Sequence, residues 1–245
     1  MNNYFQQFEK MGLQVFLAGA KYNFRTSTMG EAAVSEQINH ALDDGNFDFQ
    51  TFYTGEQIHG GKVSYPLEEK TNSFAVGEII PQSDGLITDQ PKQVLMVKFA
   101  DCTPIIIYDA RQKVVSIVHS GWRSTVQRIS QLAVKRMQDQ FYSKKEDLLV
   151  YIGPSIDQDN YEVGEEVYQA FNEWEDQSTF IKAGVKAGKY QLSMIDANLY
   201  LIKELGINEE KIMVDRRSTY LSSELHSARK EGKNYQLNGL FAMIK

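Results

Sequence analysis

Residues 93–122 read QVLMVKFADCTPIIIYDARQKVVSIVHSGW, and their pattern decides the fold class. Residues 93–99, 104–109 and 113–119 are three apolar runs of strand length. Asp109-Ala110-Arg111-Gln112 supplies a polar turn between the last two, which predicts a β-hairpin. After His119 the period changes. Val126, Ile129, Ala133 and Met137 fall at helical spacing with Leu132 beside them, so residues 123–141 read as one amphipathic helix. Further out, residues 148–152 form a buried strand closed by Gly153-Pro154. Residues 30–42, 163–174 and 193–205 read as helices, the last stopped by Gly206, and residues 212–214 and 240–244 as short late strands. Strands in runs with helices between them predict an α/β or α+β domain, a mixed sheet with flanking helices. Strand order is not contained in such a pattern.

The 245 residues show no repeat, low-complexity tract or Pro/Gly/Ser-rich linker, so a single domain over 1–245 is expected. Hydrophobic residues make up 42% of the chain, enough for a core without covalent staples. A net charge of −6 argues against a non-specific binder of nucleic acid or of an anionic membrane. It leaves room for a small anion in a local basic pocket. Cys102 is the one cysteine, so no internal disulfide can form, which fits a reducing compartment. The start, MNNYFQQFEKMG, lacks the apolar stretch of a signal peptide, and runs such as 104–108 are too short to span a bilayer. Cytoplasmic residence is expected.

Four histidines are present: His40, His59, His119 and His226. His40 lies in the helix expected over 30–42 and reads as a half-exposed surface imidazole. His226 carries no local signal. His59 is followed by Gly60-Gly61, which lets the backbone turn sharply or admit a ligand. His119 ends a strand just before a helix, and Cys102 sits after another strand; such junctions are common places for reactive groups. Taken singly, a cysteine is ordinarily a small buried hydrophobe and a strand-end histidine a hydrogen-bonded structural residue. The hairpin changes this reading, because it brings Cys102 and His119 to the same end of neighbouring strands. A thiolate beside an imidazole is either a nucleophile–base pair or two metal ligands. His59 would complete a His2Cys set with an open fourth position, as in catalytic zinc sites, although the spacing alone does not bring it close.

Three segments carry a family resemblance: Gln57-Ile58-His59-Gly60, Phe99-Ala100-Asp101-Cys102-Thr103-Pro104-Ile105, and His119-Ser120-Gly121-Trp122-Arg123-Ser124. Ile152-Gly153-Pro154-Ser155-Ile156, Asp196-Ala197-Asn198 and Leu205-Gly206-Ile207 extend it downstream. In their order and separation these resemble the laccase-domain (YfiH-like) family, also called the multicopper polyphenol oxidoreductase family. The resemblance implies a YfiH-like fold and a metal site at His59, Cys102 and His119, holding zinc rather than copper. It further implies purine nucleoside phosphorolysis, with purine nucleoside (adenosine, inosine or methylthioadenosine) and phosphate as substrates, and adenosine deamination as a second activity. Cys102, His119 and Asp101 would then serve catalysis, and Gln57 the substrate. Arg229, and after it Arg123, would grip phosphate through paired N–H donors, with Lys230 as a point charge.

The chain departs from the family pattern in several places. Arg25-Thr26-Ser27-Thr28-Met29-Gly30 stands where the family has a G-G-x-S stretch. Ser124 replaces a glycine, Ser193 an aspartate and Ser218 a cysteine. Lys230 replaces the second arginine of S-x-R-R, and Leu240 the arginine of T-G-R. Three other readings remain open. One is a cysteine hydrolase or deamidase using Cys102 and His119. Another is a copper-binding polyphenol oxidase, since His2Cys is also a blue-copper ligand set; a complete laccase is excluded, because only His40 and His226 remain for its copper cluster. The third is a degenerate member that acts through partners. With no coiled-coil pattern, a monomer or weak dimer is expected.

Overall fold

The computed structural model describes residues 3–245. In chain order its strands are β1 (Leu13–Ala18), β2 (Thr51–Gly55), β3 (Val63–Ser64), β4 (Asn72–Phe74), β5 (Gly77–Ile80), β6 (Gly85–Thr88), β7 (Gln93–Phe99), β8 (Thr103–Asp109), β9 (Val114–Ser120), β10 (Leu148–Ile152), β11 (Glu162–Gly164), β12 (Ile181–Ala183), β13 (Lys189–Leu192), β14 (Ile212–Val214) and β15 (Asn238–Ile244). Its helices are α1 (Asn3–Lys10), α2 (Thr26–Met29), α3 (Glu31–Asp44), α4 (Trp122–Val126), α5 (Ile129–Phe141), α6 (Glu165–Ala170), α7 (Met194–Glu204) and α8 (Ala228–Glu231).

Two mixed sheets stack face to face. The first has the order β1-β15-β7-β2-β5-β4 and the second β14-β10-β8-β9-β6-β3. Their strands alternate strictly between two apolar faces. Leu95, Val97 and Phe99 of β7, Leu240, Ala242 and Ile244 of β15, Ile106 and Tyr108 of β8, and Val115 and Ile117 of β9 meet in one core between the sheets. The intervening residues face outward. Val94, Met96, Phe241 and Met243 pack beneath Val34, Ile38, Ala41 and Leu42 of α3. Ile105, Ile107, Val114 and Val118 pack beneath Ile129, Ala133 and Met137 of α5 and Ile202 of α7. Strands covered on both faces read as continuous apolar runs, which is why residues 93–119 stood out in the sequence.

The hairpin is present, with Asp109 opposite Val114 and Thr103 opposite Ser120. The expected helix over 123–141 is instead two helices, α4 and α5. They break at Arg128, which takes the left-handed conformation (φ 60°). Arg128 ties this corner to α7 by its contact with Glu204 at 2.6 Å. Apolar spacing runs through the break because each side has its own partner: Val126 joins the cluster around the third sheet, and Ile129 onward covers the second. The expected helix over 163–174 is likewise shortened to α6. Val163 belongs to β11, opposite Tyr190 of β13, in the small sheet β11-β13-β12. Phe171 and Trp174 pack edge-on against Phe180 at 5.5 and 5.6 Å, and this aromatic packing produced a helix-like period without a helix. Among the described residues, no helix is long and apolar enough to cross a membrane.

Candidate metal centre

β7 belongs to the first sheet and β8 to the second, so Ala100-Asp101-Cys102 carries the chain from one layer to the other. Asp101 makes that crossing with φ 83°. Aspartate tolerates this region better than most side chains, and here it is held from several sides. Its Oδ1 accepts from the Thr219 hydroxyl at 2.6 Å, its Oδ2 from the Arg229 amide at 2.7 Å, and its carbonyl from Ser155 Oγ at 2.5 Å and the Ile156 amide at 3.1 Å. These bonds make Asp101 the clamp that fixes where Cys102 stands.

His119 lies opposite Pro104 at the end of β9, and its side chain is on the face turned toward the first sheet. Asp84, immediately before β6, organises both histidines. The His119 amide donates to the Asp84 carbonyl at 2.7 Å, and Nδ1 lies 2.9 Å from Asp84 Oδ1. The same carboxylate accepts the amides of Ile58, His59 and Gly60 at 2.8–2.9 Å, holding His59 in a left-handed turn at φ 61°. With Nδ1 engaged, His119 presents Nε2 to the cleft. Cys102 Sγ is 3.8 Å from His59 Nε2, and the two imidazole centroids are 5.0 Å apart. One donor atom from each of His59, Cys102 and His119 falls within 4.8 Å of the others, and among the described residues no other such trio is found.

The arrangement fits a tetrahedral ion. Bonds of roughly 2.0–2.3 Å place neighbouring ligand atoms about 3.3–3.6 Å apart, so binding would draw the trio in from 3.8 Å between Cys102 Sγ and His59 Nε2 and from no more than 4.8 Å elsewhere. A carboxylate behind the histidine is the usual support of such a ligand. Gly121 completes the fit, since a Cβ there would stand 2.6 Å from His59 Cδ2 and 2.9 Å from Cys102 Sγ. Charge points the same way. Burial alone would push the Cys102 thiol up, but His119 and His59 bring it down to about 6. Burial would lower His119, but the Cys102 sulfur and Asp84 push it up to about 9. Each of these two groups thus favours the charged form of the other, and binding a metal cation would require the thiol and His119 Nε2 to give up their protons.

The trio opens into a cleft of about 700 Å³. Trp122, Arg123, Tyr161 and Arg229 line it, as do Gln57 and Asp101. A groove of about 820 Å³ along α1 and β1 shares no lining residue with it and contains no histidine or cysteine. The Arg123 guanidinium sits 4.1 Å from the Trp122 ring, and that of Arg229 5.4 Å from Tyr161 with a bond to the Glu162 carbonyl at 3.1 Å. Gln57 faces the cleft, but its amide is spent on the backbone of Lys98, which it meets at both N–H (2.8 Å) and C=O (2.7 Å). Lys230 is exposed and is not among the lining residues. His226 is buried, held between the Tyr22 carbonyl and Glu231.

Four of the positions that depart from the family pattern lie inside the fold, away from the cleft. Ser193 caps α7, Ser218 bonds to Asp157, Ser124 is buried in α4, and Leu240 fills the core between the sheets. None of these four lines the cleft, but Thr26, from the departing stretch at residues 25–30, does. Sequence reasoning missed Asp84 and the packing role of Gly121. Ser83-Asp84-Gly85 looks like any polar turn before a strand, and only the fold shows three amides and an imidazole converging on one carboxylate.

A two-sheet α/β fold with a His2Cys donor set at the mouth between its layers defines the class of protein. The family model described as multi-copper polyphenol oxidoreductase laccase matches residues 20–244, and the chain belongs to that family. A purine nucleoside phosphorylase of Bacteroides thetaiotaomicron is 34% identical over 157 residues, covering 63% of this chain and 58% of that relative. Adenosine deaminase RL5, from an unknown prokaryotic organism, is 28% identical and covers 76% of this chain and 72% of its own. The crystal structure of YfiH from Bacillus licheniformis superposes with a TM-score of 0.83 at 22% identity, covering 95% and 93% of the two chains, and so shares the fold.

Proposed function

We propose that this chain is a zinc-dependent purine nucleoside phosphorylase, acting on adenosine or inosine and also on methylthioadenosine, with adenosine deamination as a second activity. One observation carries the reading: His59, Cys102 and His119 converge in a cleft that also offers aromatic faces and two guanidinium groups. In phosphorolysis a phosphate oxygen bonds to C1′ while the bond from C1′ to the base breaks, and the departing base takes up a proton. Trp122 and Tyr161 offer faces on which a purine can stack. Arg229, with Arg123, offers the planar forks that suit a phosphate dianion. Asp84 keeps the His119 ring oriented, and Asp101 keeps Cys102 in place. Zinc bound by the trio would supply Lewis-acid chemistry.

A cysteine hydrolase would need a free Cys102 thiolate and has no use for His59 as a third donor, so the donor set favours a metal. The same ligands would accept copper, and elemental analysis decides between the two. We place the enzyme in the cytoplasm, as a monomer or weak dimer. The test is metal analysis of the purified protein, followed by a nucleoside panel with and without phosphate. About one zinc per chain and phosphate-dependent release of free base are expected. Metal-loaded protein that releases no base from any purine nucleoside would overturn the reading.

A further inference from the structure

Lys98 lines the same cleft and has no part in the chemistry above. It lies four positions before Cys102, near the end of β7, with Val97 and Phe99 on either side turned into the core. Its own side chain is therefore on the opposite face. Its Nζ reaches only neutral oxygens, Thr54 Oγ1 at 3.3 Å and the Gly55 carbonyl at 3.4 Å, and stands 5.5 Å from the centre of the Phe74 ring. Among the described residues no carboxylate pairs with it, and burial alone draws its pKa down to about 8. The two arginines differ in this respect. Arg123 has Glu166 at 3.7 Å, and Arg229 has the Glu162 carbonyl. The one carboxylate of Glu56, which also lines the cleft, accepts the Gln82 amide at 3.2 Å.

The backbone beneath Lys98 is pinned. Gln57 bonds to its N–H and C=O, so the ammonium projects from a fixed point. Thr26 and Tyr235 line the cleft as well and bring hydroxyl donors. Arg25 stacks 3.8 Å from the Tyr235 ring centre and adds positive charge behind it. A half-buried ammonium that has lost hydration without gaining a counter-ion is costly, and an anion in the cleft relieves that cost.

We propose that Lys98 is a phosphate anchor of this cleft, its ammonium pairing with a phosphate dianion that the arginines alone do not hold. The proposal rests on reading the cleft as a nucleoside site. The dianion is either the inorganic co-substrate or the 5′-phosphate of a nucleotide, and the two are separated by experiment. Metal-loaded full-length protein is titrated calorimetrically with inorganic phosphate, with adenosine 5′-monophosphate and with adenosine. Wild type is compared with Lys98→Met and Lys98→Arg. Lys98→Met keeps the length of the side chain and removes a buried charge, so it should fold, and Lys98→Arg keeps the charge if it does not.

Expected is a loss of about tenfold or more in phosphate affinity for Lys98→Met, partial recovery in Lys98→Arg, and unchanged adenosine affinity. A loss confined to adenosine 5′-monophosphate assigns the anchor to a nucleotide; a loss seen with inorganic phosphate assigns it to the co-substrate. Either supports the anchor. Unchanged binding of both anions, equal losses for adenosine and the anions, or a wild type that binds neither anion overturns it. A wild type that binds phosphate through Lys98 but phosphorolyses nothing keeps the anchor and sinks the proposed activity. Phosphorolysis with an unchanged phosphate KM in Lys98→Met does the reverse.

Discussion

The metal ligands and the arginine rim share one cleft but are built in opposite ways. Side-chain exposure is 5% at His119 and 0% at Asp84 behind it, against 56% at Arg123, while Cys102 is half-buried and His59 is the exposed ligand. The ligands come from β9, from the crossing between the sheets and from a turn locked by three amides on one carboxylate. The arginines sit on α4 and α8, helices of five and four residues, and lean on aromatic rings and carbonyls. The lesson concerns tolerance. His119 and Cys102, set where the two sheets meet, cannot move without disturbing the core, and the exposed His59 is tied to them through Asp84, whereas groups on short surface helices can be exchanged. Lys230, in place of an arginine, falls on the exchangeable side.

The largest effect should come from breaking the rigid side at its sulfur. Cys102→Ser exchanges a soft thiolate for a hydroxyl that stays protonated at neutral pH. Bound zinc should fall well below one per chain, and both phosphorolysis and deamination should drop to background. Elemental analysis beside both assays checks this. Full zinc content in the variant would mean that the trio is not the metal site.

Next comes Asp84→Asn, which keeps the shape and removes the charge. One of the oxygens that accept the Ile58, His59 and Gly60 amides becomes an N–H2 facing donors, so a destabilisation of about 2–4 kcal/mol is expected. Metal affinity should weaken about 10–100-fold, because His119 loses its carboxylate support. The pH dependence has a definite sign. Burial raises the Asp84 pKa, but His119 and the backbone amides overcome this and hold it below the ordinary carboxylate value. Its stabilisation is therefore complete above about pH 4 and is lost as pH falls through the depressed pKa. Denaturant titrations should show the gap between wild type and Asp84→Asn closing toward low pH. A gap independent of pH would remove the charge from the explanation.

On the exchangeable side, Arg229→Ala should leave the fold and the metal intact. Phosphorolysis should fall by about 10–100-fold at subsaturating phosphate, the scale of a lost bond to a charged group. Phosphate-free deamination should fall far less, since that reaction needs no anion. Equal losses would mean that Arg229 supports the nucleoside or the fold. No loss in either would make it a solvated surface cation.

The same contrast explains what could be read from sequence. Strands covered on both faces announced themselves as apolar runs, and the hairpin followed from Asp109-Ala110-Arg111-Gln112. Cys102 and His119 could be paired because they flank that hairpin. The joining of His59 to them depends on Asp84, whose carboxylate gathers residues 25 positions upstream and 35 downstream. No local pattern encodes such a contact. The division into two sheets was equally hidden, because Ala100-Asp101-Cys102 has to pass between layers and a run of apolar residues does not say which layer it joins. The break at Arg128 was masked for the opposite reason: two different packing surfaces happened to keep one period.

The smallest expected effect tests whether departures from the family pattern lie in the fold or in the chemistry. Ser193 stands where the family carries an aspartate, so it could mark a lost substrate contact. In the structure it precedes α7, with extended backbone, and its hydroxyl accepts the Asp196 amide at 3.2 Å while lying 2.6 Å from the Asp196 carboxylate. That is the geometry of an N-cap, and serine and aspartate serve almost equally well there. Ser193→Ala should therefore cost about 1 kcal/mol in stability and leave the kcat and KM of phosphorolysis unchanged. Ser193→Asp should keep the cap but bring a second carboxylate close to Asp196, so its gain should be small. Thermal melts and steady-state kinetics of the two variants supply the measurement. A fall in kcat/KM without a fall in stability would place Ser193 among the working residues of the cleft, and the family's aspartate with it.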